Sequence, residues 1–220
     1  MSKSLVLLSS GLDSTVNLLA ARRDGEVVRA LTFDYGQRAA VREIEKSREI
    51  CRELDIAHHV VTLPFFTEFT KTSLIARDAS VPTADVDITS HSQSLKTAEK
   101  VWVPNRNGIF LNIAAGFAEG WGADFVVPGF NAEEATTFPD NSKDYQRALD
   151  ASFAFSTANQ VKVRCYTIDM AKPEILKLGL SLGLNKQWLW PCYFGESEWC
   201  GRCESCQRFE YARAQVENVR

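Results

Sequence analysis

The sequence predicts an α/β protein: an open, mainly parallel five-stranded sheet with helices on both faces, followed by a cysteine-bearing C-terminal segment. Three observations predict it. Short apolar runs of strand length alternate with stretches of helical period from Ser4 to Gly183. A polar turn, Ser9-Ser10-Gly11, joins the first run directly to the first helical stretch. Four of the six cysteines crowd between Cys192 and Cys206, ending in C-x2-C-x2-C.

Ser4–Leu8 reads as a short buried strand, and a helix from Asp13 to about Arg23 follows it, with Val16, Leu19 and Ala20 on one face. Gly25 marks a turn, and Val27–Phe33 is a second strand ending in Asp34-Tyr35-Gly36-Gln37. The next helix, about Ala39–Leu54, carries Val41, Ile44, Ser47, Cys51 and Leu54 as its expected buried stripe. His58–Leu63 is a third strand, on which His58 and His59 point to opposite faces. The β-α-β-α-β order points to a parallel sheet covered on both sides.

Between Pro64 and Lys100 the periodicity fades and Thr, Ser, Asp and Gln accumulate, the pattern of a lid or binding loop inserted into a compact domain. Ile109–Trp121 restores helical patterning. Asp124–Val127 is a strand ending at Pro128-Gly129-Phe130-Asn131, a helix occupies about Ser142–Ala158, and a strand runs through Val161–Ile168. Pro173 opens a last helix that stops near Leu182-Gly183. Residues 1–186 form the expected nucleotide-binding domain and 187–220 a metal-binding segment packed on it. In an open sheet of this kind, ligands gather beyond the strand C-termini.

With 220 residues, 45% apolar and 24% charged, the chain suits one sizeable core rather than two full domains or a disordered polymer. The net charge of -3, with no Lys/Arg run longer than Arg22-Arg23, argues against a stable nucleic-acid partner. Leu5-Val6-Leu7-Leu8 is too short for a signal core or a membrane span, so a cytoplasmic protein is expected.

Ser9-Ser10-Gly11-Leu12-Asp13-Ser14 lies between first strand and first helix, where free amide hydrogens, the positive helix end and serine hydroxyls suit a phosphate. Gly11 is expected to give the backbone its sharp path. Asp13 or Ser14 caps the helix, or Asp13 stands by the phosphates and helps to hold Mg²⁺; six residues leave both open. The Gly-Lys-Ser/Thr ending of a Walker loop and the G-x-G-x-x-G fingerprint are both missing, so this is not a Walker loop, and the absence weighs against a kinase-like P-loop protein and a plain dehydrogenase.

Cys192, Cys200, Cys203 and Cys206 offer four thiolates, enough to fill a tetrahedral Zn²⁺ and leave no position for an activated water. Such a zinc is structural. Cys51 and Cys165 fall in a helix stripe and a strand, where buried inert thiols are expected. The chain has no serine-histidine-aspartate set.

The loop resembles the SGGxDS signature of the ATP-pyrophosphatase (PP-loop) family, with an adenine nucleotide alpha-hydrolase-like fold; Ser9, Gly11, Asp13 and Ser14 match, and Ser10 replaces the second-position glycine. Phe33-Asp34-Tyr35-Gly36-Gln37-Arg38, Val103-Pro104-Asn105-Arg106-Asn107, Trp190-Pro191-Cys192-Tyr193 and Cys200 through Cys206 extend the likeness in order along the chain. Together they resemble the 7-cyano-7-deazaguanine synthase branch of that family. Two departures stand out: Ala39 where histidine is usual, and Pro139-Asp140-Asn141-Ser142 where the family has Pro-Asp-Cys-Arg.

The resemblance implies a carbon-nitrogen ligase that spends ATP with Mg²⁺ on 7-carboxy-7-deazaguanine and ammonia, in a homodimer. It implies catalytic roles for Asp13, Arg106 and Lys172. It implies nucleotide or substrate contacts for Ser9, Ser10, Gly11, Leu12, Asp13, Ser14, Phe33, Tyr35, Gln37, Asn107, Gly129 and Asn131. Rival expectations are an ATP-dependent tRNA-modifying enzyme with a catalytic cysteine beside the loop, a ligase that amidates another carboxylate, and a non-enzymatic zinc scaffold.

Overall fold

The computed structural model describes residues 1–83 and 91–217, with the side chains of 91–95 left aside. Its elements run β1 (Ser2–Leu7), α1 (Leu12–Asp24), β2 (Gly25–Asp34), α2 (Ala40–Glu53), β3 (His58–Thr62), α3 (Phe66–Phe69), α4 (His91–Val101) and α5 (Arg106–Gly120). They continue with β4 (Phe125–Val127), α6 (Ala132–Ala135), α7 (Lys143–Ser156), β5 (Lys162–Val163), α8 (Lys172–Ser181) and α9 (Glu204–Glu217).

The five strands form one sheet in the order β3-β2-β1-β4-β5, every pairing parallel. The chain winds outward from β1 through β2 to β3, then crosses to the other side of β1 for β4 and β5. The order therefore reverses between β1 and β4, and the crevice beyond their C-terminal ends is where such sheets take ligands. Alternation along β1 splits the core: Leu5 joins Leu31, Phe33 and Leu111 on one face, and Val6 joins Val16, Ile50 and Val127 on the other.

Three expectations need correction. α1 is buried on all sides from Leu12 to Ala21, not along one face, because the sheet, α8 and the segment around Trp188 and Phe209 enclose it. On α2, Val41 is 63% exposed and the buried face is Ala40, Ser47, Ile50 and Cys51. Only the later half of the expected stripe survives. The strand expected over 161–168 is cut to two residues: Asp150 Oδ1 accepts from Val163 N at 2.7 Å, and Asn17 Oδ1 accepts from Tyr166 N at 2.8 Å and draws the chain toward α1.

The insert is not featureless. Leu74, Ile75 and Val101 are buried in the core, and Arg38 donates to the carbonyls of Ser73 (2.6 Å), Ala76 (2.5 Å) and Ala79 (2.6 Å), tying this segment to the end of β2. The stretch 84–90 of the expected lid lies outside the described residues. No helix among the described residues is long and apolar enough to cross a membrane.

Candidate functional site

The polar loop leaves β1 and enters α1 with its amides toward a cavity of about 310 Å³ lined by residues from β1, β2, α5, α6 and α9. The sharp turn falls at Ser10, whose φ of 56° is the left-handed region that favours glycine. Gly11 is extended at φ -70°, ψ 162°, which corrects the role expected of it. Its missing side chain instead leaves the cavity wall open at the helix start. Ser10 tolerates the turn through local bonds: its Oγ donates to Ser9 O at 2.6 Å, and Trp190 N donates to Ser10 O at 2.8 Å.

Ser14 Oγ gathers the loop, accepting from Ser9 N at 3.2 Å and lying 3.2 Å from Ser9 Oγ. No side chain caps α1, so its first amides remain for an anion. The β4 exit passes hard against this turn. A Cβ on Gly129 would stand 2.6 Å from Ser14 N, so only glycine fits.

A charged cluster adjoins the helix start. Lys172 Nζ donates to Asp13 Oδ2 at 2.5 Å and to Glu134 Oε1 at 2.9 Å. Burial alone would discharge that ammonium, but the two carboxylates hold Lys172 above the ordinary lysine range. Asn131 Nδ2 donates to Asp13 Oδ2 at 3.1 Å while its Oδ1 accepts from Glu134 N at 2.8 Å, capping α6. Asp13 Oδ1 is buried and has no hydrogen-bond partner. A buried, unpartnered carboxylate oxygen on a residue that lines the cavity fits a hard divalent cation.

The far end is aromatic. Phe33 and Phe110 stack at 4.2 Å, with Tyr35 edge-on to Phe110 at 5.3 Å. Arg106 Nη1 reaches Tyr35 Oη at 3.4 Å and its Nε reaches Asn107 Oδ1 at 3.4 Å, both at the long limit of a hydrogen bond. Glu43, on the first turn of α2, lines the same wall and accepts from Gln37 Nε2 at 2.8 Å. Burial pushes its carboxyl up to about 7 despite Gln37 and Arg106.

The metal-ligand set closes the third side. The Sγ atoms of Cys192, Cys200, Cys203 and Cys206 all lie within 4.8 Å of one another, against a thiolate spacing of about 3.8 Å around a tetrahedral zinc. Backbone amides of Phe194, Cys200, Arg202 and Cys203 donate to Cys192 and Cys200 sulfur at 3.3–3.4 Å, the outer support a metal thiolate uses. The four thiols fit one metal ion.

Of the residues expected at the site, Ser9, Gly11, Leu12, Asp13, Ser14, Phe33, Tyr35, Arg106, Asn107, Gly129 and Lys172 line the cavity. Ser10, Gln37 and Asn131 do not: they turn the loop, orient Glu43 and orient Asp13 from behind. Sequence reasoning missed Glu43, Glu133, Glu134, Asp140 and Arg208, all lining the cavity. Glu133 and Glu134 were findable, since they follow Asn131 at the end of β4, on the sheet edge where ligands bind. Cys51 is buried with its thiol pushed up to about 12, and Cys165 is bonded to Phe130 O at 3.3 Å; neither lines the cavity.

The family described as "Queuosine biosynthesis protein QueC" matches residues 3–216. The chain is 54% identical over 214 residues to a 7-cyano-7-deazaguanine synthase of Bdellovibrio bacteriovorus, covering 96% of this chain and 93% of the relative. It is 48% identical to that of Carboxydothermus hydrogenoformans, covering 97% and 99%. Among solved structures, a 4-thiouridine synthetase in complex with RNA and ATP superposes with a TM-score of 0.51 at 19% identity, over 99% of this chain and 51% of the other. That likeness concerns the fold alone.

Proposed function

The chain belongs to the queuosine biosynthesis QueC family, and from that membership we propose that it is an ATP-dependent ligase converting 7-carboxy-7-deazaguanine and ammonia into 7-cyano-7-deazaguanine. The observation that carries this is the single cavity at the strand-order reversal, which joins an uncapped helix start at one end to an aromatic wall with a guanidinium at the other.

In this mechanism the nucleotide's phosphates lie over Ser9–Ser14, against the first amides of α1. Mg²⁺, bound at Asp13 Oδ1, would neutralise phosphate charge in a cavity already rich in carboxylates. Burial pushes the Asp13 carboxyl up, Lys172 opposes that rise and aims the group, and Asn131 fixes the same carboxylate from behind. Arg106 presents its fork to the substrate carboxylate at the aromatic end, with Asn107 beside it. A carboxylate oxygen attacks the α-phosphorus, forming an acyl-adenylate and releasing pyrophosphate. Ammonia adds to the activated carbon, AMP and a proton leave, and a primary amide remains. The amide oxygen then attacks a second ATP, again releasing pyrophosphate; loss of AMP and a proton gives the nitrile.

The four cysteines hold Zn²⁺ as a structural ion that fixes residues 187–220 against the body formed by 1–186. We assign the protein to the cytoplasm as a homodimer without nucleic acid, supported by the exposed apolar Val41 and Tyr211 and by the sheltered state of Cys51 and Cys165. Light scattering checks the dimer, and metal analysis the zinc.

The test is mass spectrometry of products formed from 7-carboxy-7-deazaguanine, ATP, Mg²⁺ and ammonium. Nitrile with two AMP per turnover is expected. Amide without nitrile identifies a one-step amidating ligase; no AMP from folded, metal-loaded protein overturns the substrate assignment.

A further inference from the structure

Three cations line the cavity: Arg106 at the aromatic end, Lys172 between Asp13 and Glu134, and Arg208. The third projects from α9 two residues beyond the ligand Cys206, with its side chain 20% exposed. Glu204, one turn earlier on the same helix, accepts from Arg208 Nη2 at 2.7 Å and Nε at 3.0 Å. Arg208 Nη1 lies 3.7 Å from Glu133 Oε2, an ion pair longer than a hydrogen bond.

These contacts fix which end of the cavity it serves. Glu133 Oε1 accepts from Lys172 N at 2.8 Å, and Lys172 Nζ holds Asp13 on the first turn of α1. Arg208 is thus joined through Glu133 and Lys172 to the helix start. Lys172 and Arg208 are each paired with two carboxylates, so charge alone does not choose between them; shape does. A guanidinium oriented by its own helix partner presents a rigid planar fork, the geometry that matches two phosphate oxygens.

Resting on the reading of this cavity as an ATP site, we propose that Arg208 grips the β- and γ-phosphoryl oxygens of the nucleotide. The metal-bearing segment thereby supplies a residue that binds the pyrophosphate leaving group. Its charge acts where negative charge grows as the bond from the α-phosphorus to its leaving oxygen breaks and both electrons go to that oxygen. The adenosine and α-phosphoryl parts make no use of it.

Calorimetric titration of metal-loaded wild type, Arg208→Gln and Arg208→Lys with ATP, AMP and inorganic pyrophosphate at fixed Mg²⁺ tests this. Arg208→Gln is expected to weaken ATP and pyrophosphate about tenfold or more, the loss of charged hydrogen bonds, and to leave AMP within about twofold. Arg208→Lys should recover part of the difference. Unchanged ATP binding, or equal weakening of ATP and AMP, overturns the proposal alone. A wild type that binds no ATP overturns the ATP reading first. Metal content is measured on each variant, and if the glutamine form loses its ion the lysine form carries the comparison: an ATP-selective loss supports the assignment and none rejects it.

Discussion

The two ends of the cavity are built in opposite ways. At the phosphate end Lys172, Asp13, Asn131 and Glu134 hold one another at 2.5–3.1 Å, so the charges are aimed before any ligand arrives. At the aromatic end Arg106 has two contacts at 3.4 Å, and Glu43 is half-buried with a hydrogen bond from a neutral amide. The first end is preorganised for a ligand that is always the same, with Asp13 Oδ1 left over as the place for a cation. The second holds incompletely satisfied groups, which a ligand with matching polar edges would complete and a poor match would leave unpaired.

The largest expected effect breaks the ordered end. Lys172→Met leaves Asp13 and Glu134 facing each other without a cation, and should cost about 3–5 kcal/mol of stability by denaturant titration. It should also lower kcat/KM about 10³-fold; activity within tenfold of wild type would remove the contrast. Arg106→Lys keeps the charge but loses the fork. It should reduce kcat/KM for the carboxylate substrate about 10- to 100-fold while the KM for ATP moves less than about threefold. Equal effects on both substrates would mean that the two ends do not divide the ligands.

Glu43 sharpens the comparison through pH. Burial raises its carboxyl from the ordinary 4.5 to about 7, so the folded protein binds this proton more tightly than the unfolded chain. Stability is therefore fullest below the ordinary value and falls as pH rises toward 7, by an amount on the order of 2 kcal/mol. Glu43→Gln should flatten that fall, as read from thermal midpoints between pH 4.5 and 7.5. The smallest effect belongs to Ser10→Gly: relief of the left-handed turn opposes the loss of the Ser10 Oγ bond, and stability should change by no more than about 1 kcal/mol.

Much of this molecule was legible in its sequence because local rules and the fold agree. Strand-length apolar runs, the loop between β1 and α1 and the cysteine spacing each report a local constraint, and the five strands stand close to where periodicity puts them. What escaped is which residues pair across long distances in sequence, even where, as with Asn131 and Lys172, the residues themselves were expected at the site. Asn131 serves Asp13 from 118 residues away and Lys172 from 159, and no spacing announces that Glu133 will lie between Lys172 and Arg208. Gln37 was assigned to the ligand on the family resemblance of the stretch Phe33–Arg38, yet its amide is consumed by Phe33 O, Tyr35 N and Glu43. The α2 stripe failed at Val41, which is exposed while its neighbour Ala40 takes the buried position of the first turn. α9 was hidden because its first turn carries the last metal-ligand cysteine, and that chemistry masked the helical period.

The bond from Trp190 N to Ser10 O also bears on how the protein is made. Ser10 leaves the ribosome early, in a turn that a serine does not favour, and the irregular segment around Trp190 that backs it is synthesised 180 residues later. Closing so long a chain segment is slow, because its entropy is lost before the contact forms. A nascent chain therefore carries the nucleotide loop without its supporting wall. The backbone of the nucleotide loop is thus completed only when the C-terminal segment that carries the cysteines has been made.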